Sequence, residues 1–228
     1  MMEFDSQDSP ITSENTNTLL SKTFFRMFLG LVATAFAAWY TYSSGMIESL
    51  IYSNSYFIIF IVEIAIVIIF SAGFKKLSPA IVTGLFFAYS IITGVTFSTL
   101  FAVFEIESIV YAFVGTAALF GILAYIGKTT KKDLTSFGTM LSITLLVGVV
   151  ISLINLFIGN TMVDIVLNWI ILFVFMGFTI YDMNKITHMQ DMGIMENEKL
   201  YVYGAMELYL DFINLFLRIL YLFGNRKD

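Results

Sequence analysis

Apolar residues fall in seven long runs, at about residues 24–42, 56–74, 79–104, 109–126, 137–158, 165–186 and 200–223, with short polar stretches between them. A helix needs ~20 residues to cross the hydrocarbon core of a bilayer, and each run is near that length. Backbone N–H and C=O groups find no water inside lipid, so they must be satisfied within each helix. The pattern therefore predicts an all-α integral membrane protein with seven transmembrane helices in one bundle. Ser78 and Pro79 predict a clean start to the third helix: the hydroxyl caps, and proline suits the first helical position. Ahead of the first run, residues 1–21 are polar and acidic, with Asp5, Asp8 and Glu14. They read as a flexible tail or short interfacial segment. No basic stretch leads into a short apolar core, so this is not a signal peptide. Residues 22–228 hold no defensible repeat and no dividing linker, and read as a single transmembrane domain.

Composition agrees with the pattern. The chain is 58% hydrophobic and only 13% charged, where a soluble domain carries about a quarter charged residues. The absence of cysteine excludes disulfides, thiolate metal sites and a cysteine nucleophile. A net charge of −5 without a basic stripe excludes a nucleic-acid binder. No permanently bound cofactor is expected. Lys and Arg then set the orientation. Lys22 and Arg26 flank the first run; Lys75 and Lys76 follow the second; Lys128, Lys131 and Lys132 follow the fourth; Lys185 and Lys199 bracket the gap after the sixth. The alternate loops carry Glu48, Glu105, Glu107 and Asp164 instead. This places the N-terminus of a multi-pass protein in the cytoplasm, and the compact chain without a targeting segment suggests a bacterial cytoplasmic membrane. If the seventh helix crosses fully, Arg226 and Lys227 lie on the side that the rule disfavours.

Ionisable residues inside the apolar runs carry the candidate chemistry. They are Glu63, Asp182, Asp211 and Arg218, with Glu207 one turn before Asp211. A carboxylate at membrane depth costs at least a few kcal/mol, so each asks for a purpose. Glu63 and Arg218 both fall in the non-cytoplasmic half of their helices, which predicts an ion pair between them. Asp182 and Asp211 fall toward the cytoplasmic half, on successive helices. Two close carboxylates cannot both ionise cheaply, so the pair shares a proton and forms a proton-dependent switch. Deprotonated, it is a hard-oxygen site suited to Ca²⁺. Asp211 lies deeper than Asp182, so a tilted helix or a water-filled vestibule is needed to bring them together.

The segments Tyr181-Asp182-Met183-Asn184-Lys185-Ile186 and Leu208-Tyr209-Leu210-Asp211-Phe212-Ile213-Asn214-Leu215-Phe216, with Lys131-Lys132-Asp133-Leu134 and Val62-Glu63-Ile64-Ala65, resemble the Bax inhibitor-1 family (the transmembrane Bax inhibitor motif family), most closely its bacterial members. The resemblance covers nearly the whole chain from about Lys22. It implies six helices wrapped around a central seventh. It also implies a pH-sensitive calcium leak with Asp182 and Asp211 as a di-aspartyl sensor, closed when protonated and open when deprotonated. Ca²⁺ is then the transported ion, H⁺ the regulator, and the lipid bilayer the setting. In the family an arginine near the inner end of the second helix latches onto the sensor. That place is Phe74 here, followed by Lys75 and Lys76, so the resemblance leaves any latch to a lysine, without arginine's bidentate fork. Glu207 is an additional negative charge relative to the family pattern.

Two other classes fit parts of the same pattern. One, which the family resemblance also implies, is a non-transporting regulator of stress responses or of membrane proteases, in which the charges are a conformational lock. The other is an intramembrane aspartyl protease, which also pairs Tyr-Asp on one helix with Asp on the next. The Gly-x-Gly-Asp and proline-bearing motifs of that class are missing, since Asp211 follows Leu208-Tyr209-Leu210 and no proline follows Pro79.

Overall fold

The computed structural model describes residues 10–53, 55–74, 76–191 and 197–227, with side chains from residue 17 onward but not at 190, 191 and 197. These residues form α1 (Pro10–Ser43), α2 (Met46–Tyr52), α3 (Ser55–Gly73), α4 (Pro79–Val103), α5 (Ile106–Thr129), α6 (Thr135–Ile158), α7 (Thr161–Asp191) and α8 (Asn197–Phe223). No strand forms among them beyond one isolated bridge, Phe104 to Arg226.

Six helices are long and apolar enough to cross a membrane: the Asn17–Ser43 part of α1, α3, α4, α5, α6 and the Thr161–Met189 part of α7. The seventh expected span, α8, is not among them. It is long, but it holds Glu207, Asp211 and Arg218 within its last five turns. Two further departures from expectation concern the first third of the chain. The helix α1 begins at Pro10, so residues 10–21 are helical where a tail was expected; residues 1–9 lie outside the described residues. The reason is a buried stripe at helical spacing, Leu19, Thr23, Met27, Thr34, Ala38 and Thr41, which extends the packing face into the polar segment. The short α2 had no counterpart among the seven runs. It starts from Gly45, whose φ of 74° makes the tight turn out of α1.

Expected local signals hold elsewhere. Ser78 accepts a hydrogen bond from the Ile81 N–H at 3.4 Å, with Pro79 at the first helical position. The α6–α7 turn is built by two asparagines. Asn155 donates to the Asn160 carbonyl (3.0 Å) and to Asp164 (2.6 Å), while the Asn160 side chain accepts from the Met162 and Val163 amides.

The bundle is apolar on its outside. Phe57, Ile58 and Ile68 on α3 and Leu146, Leu156 and Phe157 on α6 are all exposed, as lipid-facing side chains would be. The reverse holds for α8, which packs against α1, α4, α5 and α7. Its Leu208, Tyr209, Leu215 and Leu220 are essentially inaccessible. Close backbone approach elsewhere depends on small residues, as in membrane bundles generally. A Cβ on Gly94 of α4 would lie 2.5 Å from the Thr34 carbonyl oxygen of α1, and one on Gly127 of α5 would clash with the Ile180 carbonyl oxygen of α7.

The course of α8 is fixed at both ends. It starts where Arg26 of α1 meets Glu198 at 2.5 Å. It finishes against the α4–α5 connection, where Glu105 N–H donates to the Asn225 carbonyl (3.1 Å) and Lys227 N–H to the Val103 carbonyl (2.9 Å). The two C-terminal cations that strained the orientation rule are engaged there. The Arg226 guanidinium lies over the Phe104 and Tyr221 rings, and Lys227 Nζ donates to the Phe101 carbonyl at 2.8 Å.

Candidate functional site

The site grows out of the way α7 divides its faces among its neighbours. Tyr181 lies against Gly138 of α6, and Ile180 and Met183 lie against Gly127 of α5. Asn184 donates to the Thr130 carbonyl at 2.6 Å, tying the same face to the end of α5. Ile186, one turn after Asp182, approaches Gly204 of α8. Asp182 is thereby left for α8, and it is buried at 5% exposure. Asp211 of α8 is buried at 3% exposure, and its Oδ2 atom has no hydrogen-bond partner. The charges that act on Asp211 are those of Asp182, Glu207 and Lys185. Long helices help to bridge the expected difference in depth. Asp182 stands about 14 Å before the end of α7 and Asp211 about 21 Å into α8 at 1.5 Å per residue.

Glu207 and Tyr203 continue the α8 face that carries Asp211, one turn apart in each step. Lys185 Nζ donates to the Tyr203 hydroxyl at 2.5 Å and stands 4.0 Å from the Glu207 carboxylate. Tyr203 feels the charge of Glu207 in turn. Glu207 is half-buried in this chain of contacts. The cation of the site therefore comes from α7 itself and not from the end of the second long helix. Phe74, at the place of the family's arginine, is buried and packs its ring on Tyr203 at 5.1 Å and on Phe70 at 5.5 Å. It forms an apolar wall where a latch was sought. Lys76 is exposed and shows only a backbone contact, to Gly73; Lys75 lies outside the described residues.

Lys185 and Tyr203 were missed as site residues in the sequence. Their signals were present as spacing: Lys185 follows Asp182 by three residues, and Tyr203, Glu207 and Asp211 follow one another by four. The arrangement can hold a proton, or a cation with water completing its shell. Among the described residues, no three His, Asp or Glu side chains form a cage for a resident metal ion.

The expected Glu63–Arg218 ion pair does not form. Neither residue takes part in the ion pairs Arg26–Glu198 and Lys185–Glu207. Glu63 accepts from the Thr96 hydroxyl of α4 at 3.0 Å. Arg218 donates to the Asn168 side chain of α7 at 2.6 Å, and its Nε has no partner. Similar depth in the bundle placed the two residues at one height but not at one azimuth: α3 rests on α4, and Glu63 turns toward that helix. Arg218 instead lines a cavity of about 340 Å³ between α6, α7 and α8, together with Ser152, Asp164, Asn168 and Asn214.

Comparison with known proteins shows the family. A family model described as "Inhibitor of apoptosis-promoting Bax1" matches residues 16–228. The chain is 40% identical over 216 residues to the inner membrane protein YbhL of Escherichia coli K12, covering 92% of each chain. It is 34% identical over 217 residues to an uncharacterized protein of Borreliella burgdorferi (93% of this chain, 94% of the other), and 32% identical over 219 residues to one of Deinococcus radiodurans (95% and 94%). The matched span takes in every helix that builds the site, from α1 to α8. On this match, the chain is a multi-pass membrane protein that belongs to the Bax inhibitor-1 family.

Proposed function

We propose that the protein is a pH-sensitive calcium leak, gated by a proton shared between Asp182 and Asp211, and not an enzyme. The observation that carries this reading is the burial of both aspartates on packed helices, with one Asp211 oxygen left without a partner. Buried carboxylates that feel each other's charge oppose each other's ionisation, so protons control their charge. Ca²⁺ is the cargo: two carboxylates with water suit a passing hard cation.

In this reading α8 is the seventh span, enclosed by the others, with the N-terminus in the cytoplasm and the C-terminus outside. Its 27 residues make about 40 Å of helix. Its polar residues are tolerable because they face protein rather than lipid. The lysines in the connections after α3 and α5, with Lys185 near the end of α7 and Lys199 at the start of α8, support the orientation. Protonated, the pair is uncharged and the seam between α7 and α8 stays closed. Deprotonated, the two charges repel, and cation entry relieves the repulsion.

The test is Ca²⁺ flux into liposomes holding the purified protein, between about pH 5 and about pH 8, where a shared carboxylate proton titrates. Flux should rise with pH, and Asp211→Asn should abolish the rise. Wild-type flux no greater than that of empty liposomes at every pH ends the leak reading and leaves the charges as the lock of a non-transporting regulator. Specific cleavage of a membrane-peptide substrate, lost in Asp182→Asn, would instead make the pair a protease dyad.

A further inference from the structure

Beside the di-aspartyl site, a second polar cavity of about 440 Å³ lies between the α5–α6 connection and the end of α7. Its walls include Lys131, Lys132, Asp133, Lys185 and His188. We propose that this cavity binds a phosphate anion, carried by an anionic phospholipid headgroup or free in solution. The proposal does not rest on the leak reading.

The balance of charge and donors carries it. Lys131 and Lys132 are exposed and have no ion-pair partner among the described residues. The one carboxylate on the wall, Asp133, is occupied. Its Oδ1 accepts from the Thr135 N–H at 2.8 Å. Hydrogen bonds from Thr135, the first residue of α6, hold its carboxyl below the usual range, and the charge of His188 acts in the same direction. His188 gives its Nδ1 to the Asn184 carbonyl at 2.7 Å, which leaves Nε2 free to donate to an anion when the ring is protonated. Lys185 is held by Tyr203 and Glu207 and adds charge without being spent in the cavity. The first turn of α6 supplies the positive end of a 24-residue helix dipole. Basic pockets between helices at a membrane surface bind phosphate-bearing headgroups in this way. A lipid source would also find a path for its acyl chains, because Met140 and Ile143, one to two turns up α6, are exposed.

Native mass spectrometry of the delipidated protein, given phosphatidylglycerol or phosphatidylcholine, reads the first source. Thermal shift in inorganic phosphate against chloride reads the second. The expected result is preferential retention of phosphatidylglycerol, weakened about fivefold for each lysine removed in Lys131→Gln and Lys132→Gln, and weakened also in His188→Gln. Stabilisation by inorganic phosphate with the same lysine dependence, without phosphatidylglycerol retention, supports the site with a soluble occupant. Lys128→Gln is the control, because Lys128 lies at the same end of the bundle but is bonded to Asn17 and does not line the cavity. All these side chains are exposed or half-exposed, so the variants should fold, and unchanged melting temperatures without ligand establish that they do. Binding that is absent for both probes, or that falls as much in Lys128→Gln as in Lys131→Gln, overturns the proposal.

Discussion

Lys185 stands next to three carboxylates, and its ammonium favours their ionised forms. Replacing it with methionine should keep protons on the group to higher pH. In the leak reading the flux midpoint then moves upward by about one pH unit, while Tyr203→Phe moves it less in the same direction. A midpoint that stays put in Lys185→Met would show that the lysine serves packing alone. At the other end of α8, Glu63→Gln and Arg218→Leu should be additive in thermal stability within about 0.5 kcal/mol, because they share no partner. Asn168→Leu and Arg218→Leu should instead show a coupling of about 1 kcal/mol, since the two side chains bond directly. The sequence made both aspartates and Arg218 conspicuous, because a charge in an apolar run is visible without a structure. It did not show their partners. Helical spacing gives height along the bundle, whereas the partner depends on which helices lie side by side, and α3 lies on α4.

Helix by helix, the apolar runs were legible because lipid imposes both length and composition on them. The runs expected at 79–104 and 137–158 became α4 (Pro79–Val103) and α6 (Thr135–Ile158). The short α2 and the first turns of α1 were not legible, since neither has a span-length apolar run. Helix contacts make their own prediction. Gly94→Ala and Gly127→Ala should each destabilise by about 1–3 kcal/mol in thermal unfolding, because the new methyl group meets a backbone carbonyl that cannot step aside. Gly121, also within α5, has open space where its Cβ would go. Gly121→Ala should therefore leave stability unchanged or raise it by up to about 1 kcal/mol, from helix propensity alone. Equal losses at Gly121 and Gly127 would mean that the glycines matter for flexibility and not for close approach.

For the molecule as a whole, the polar helix is the one with the least exposed surface. Insertion scales charge about 2.5–3.5 kcal/mol for Asp or Arg at mid-membrane and return only about 0.3–0.6 kcal/mol for each leucine or phenylalanine. Asp211 and Arg218 alone offset most of what the apolar residues of α8 supply. This helix cannot enter lipid by itself; it needs the surfaces of α1, α4, α5 and α7 already in place. The order of the chain provides for that, since the ribosome makes α8 after all four of its neighbours. In the proposed seven-span topology, α8 enters after these neighbours, a helix that the membrane would reject accepted by a socket of protein. Residues 197–223 placed alone in an insertion reporter should stay out of the bilayer, and the same residues behind α1–α7 should cross it. The hydrogen bonds of Asn225 and Lys227 to the α4–α5 connection would then act as the clasp that keeps a late arrival from sliding back.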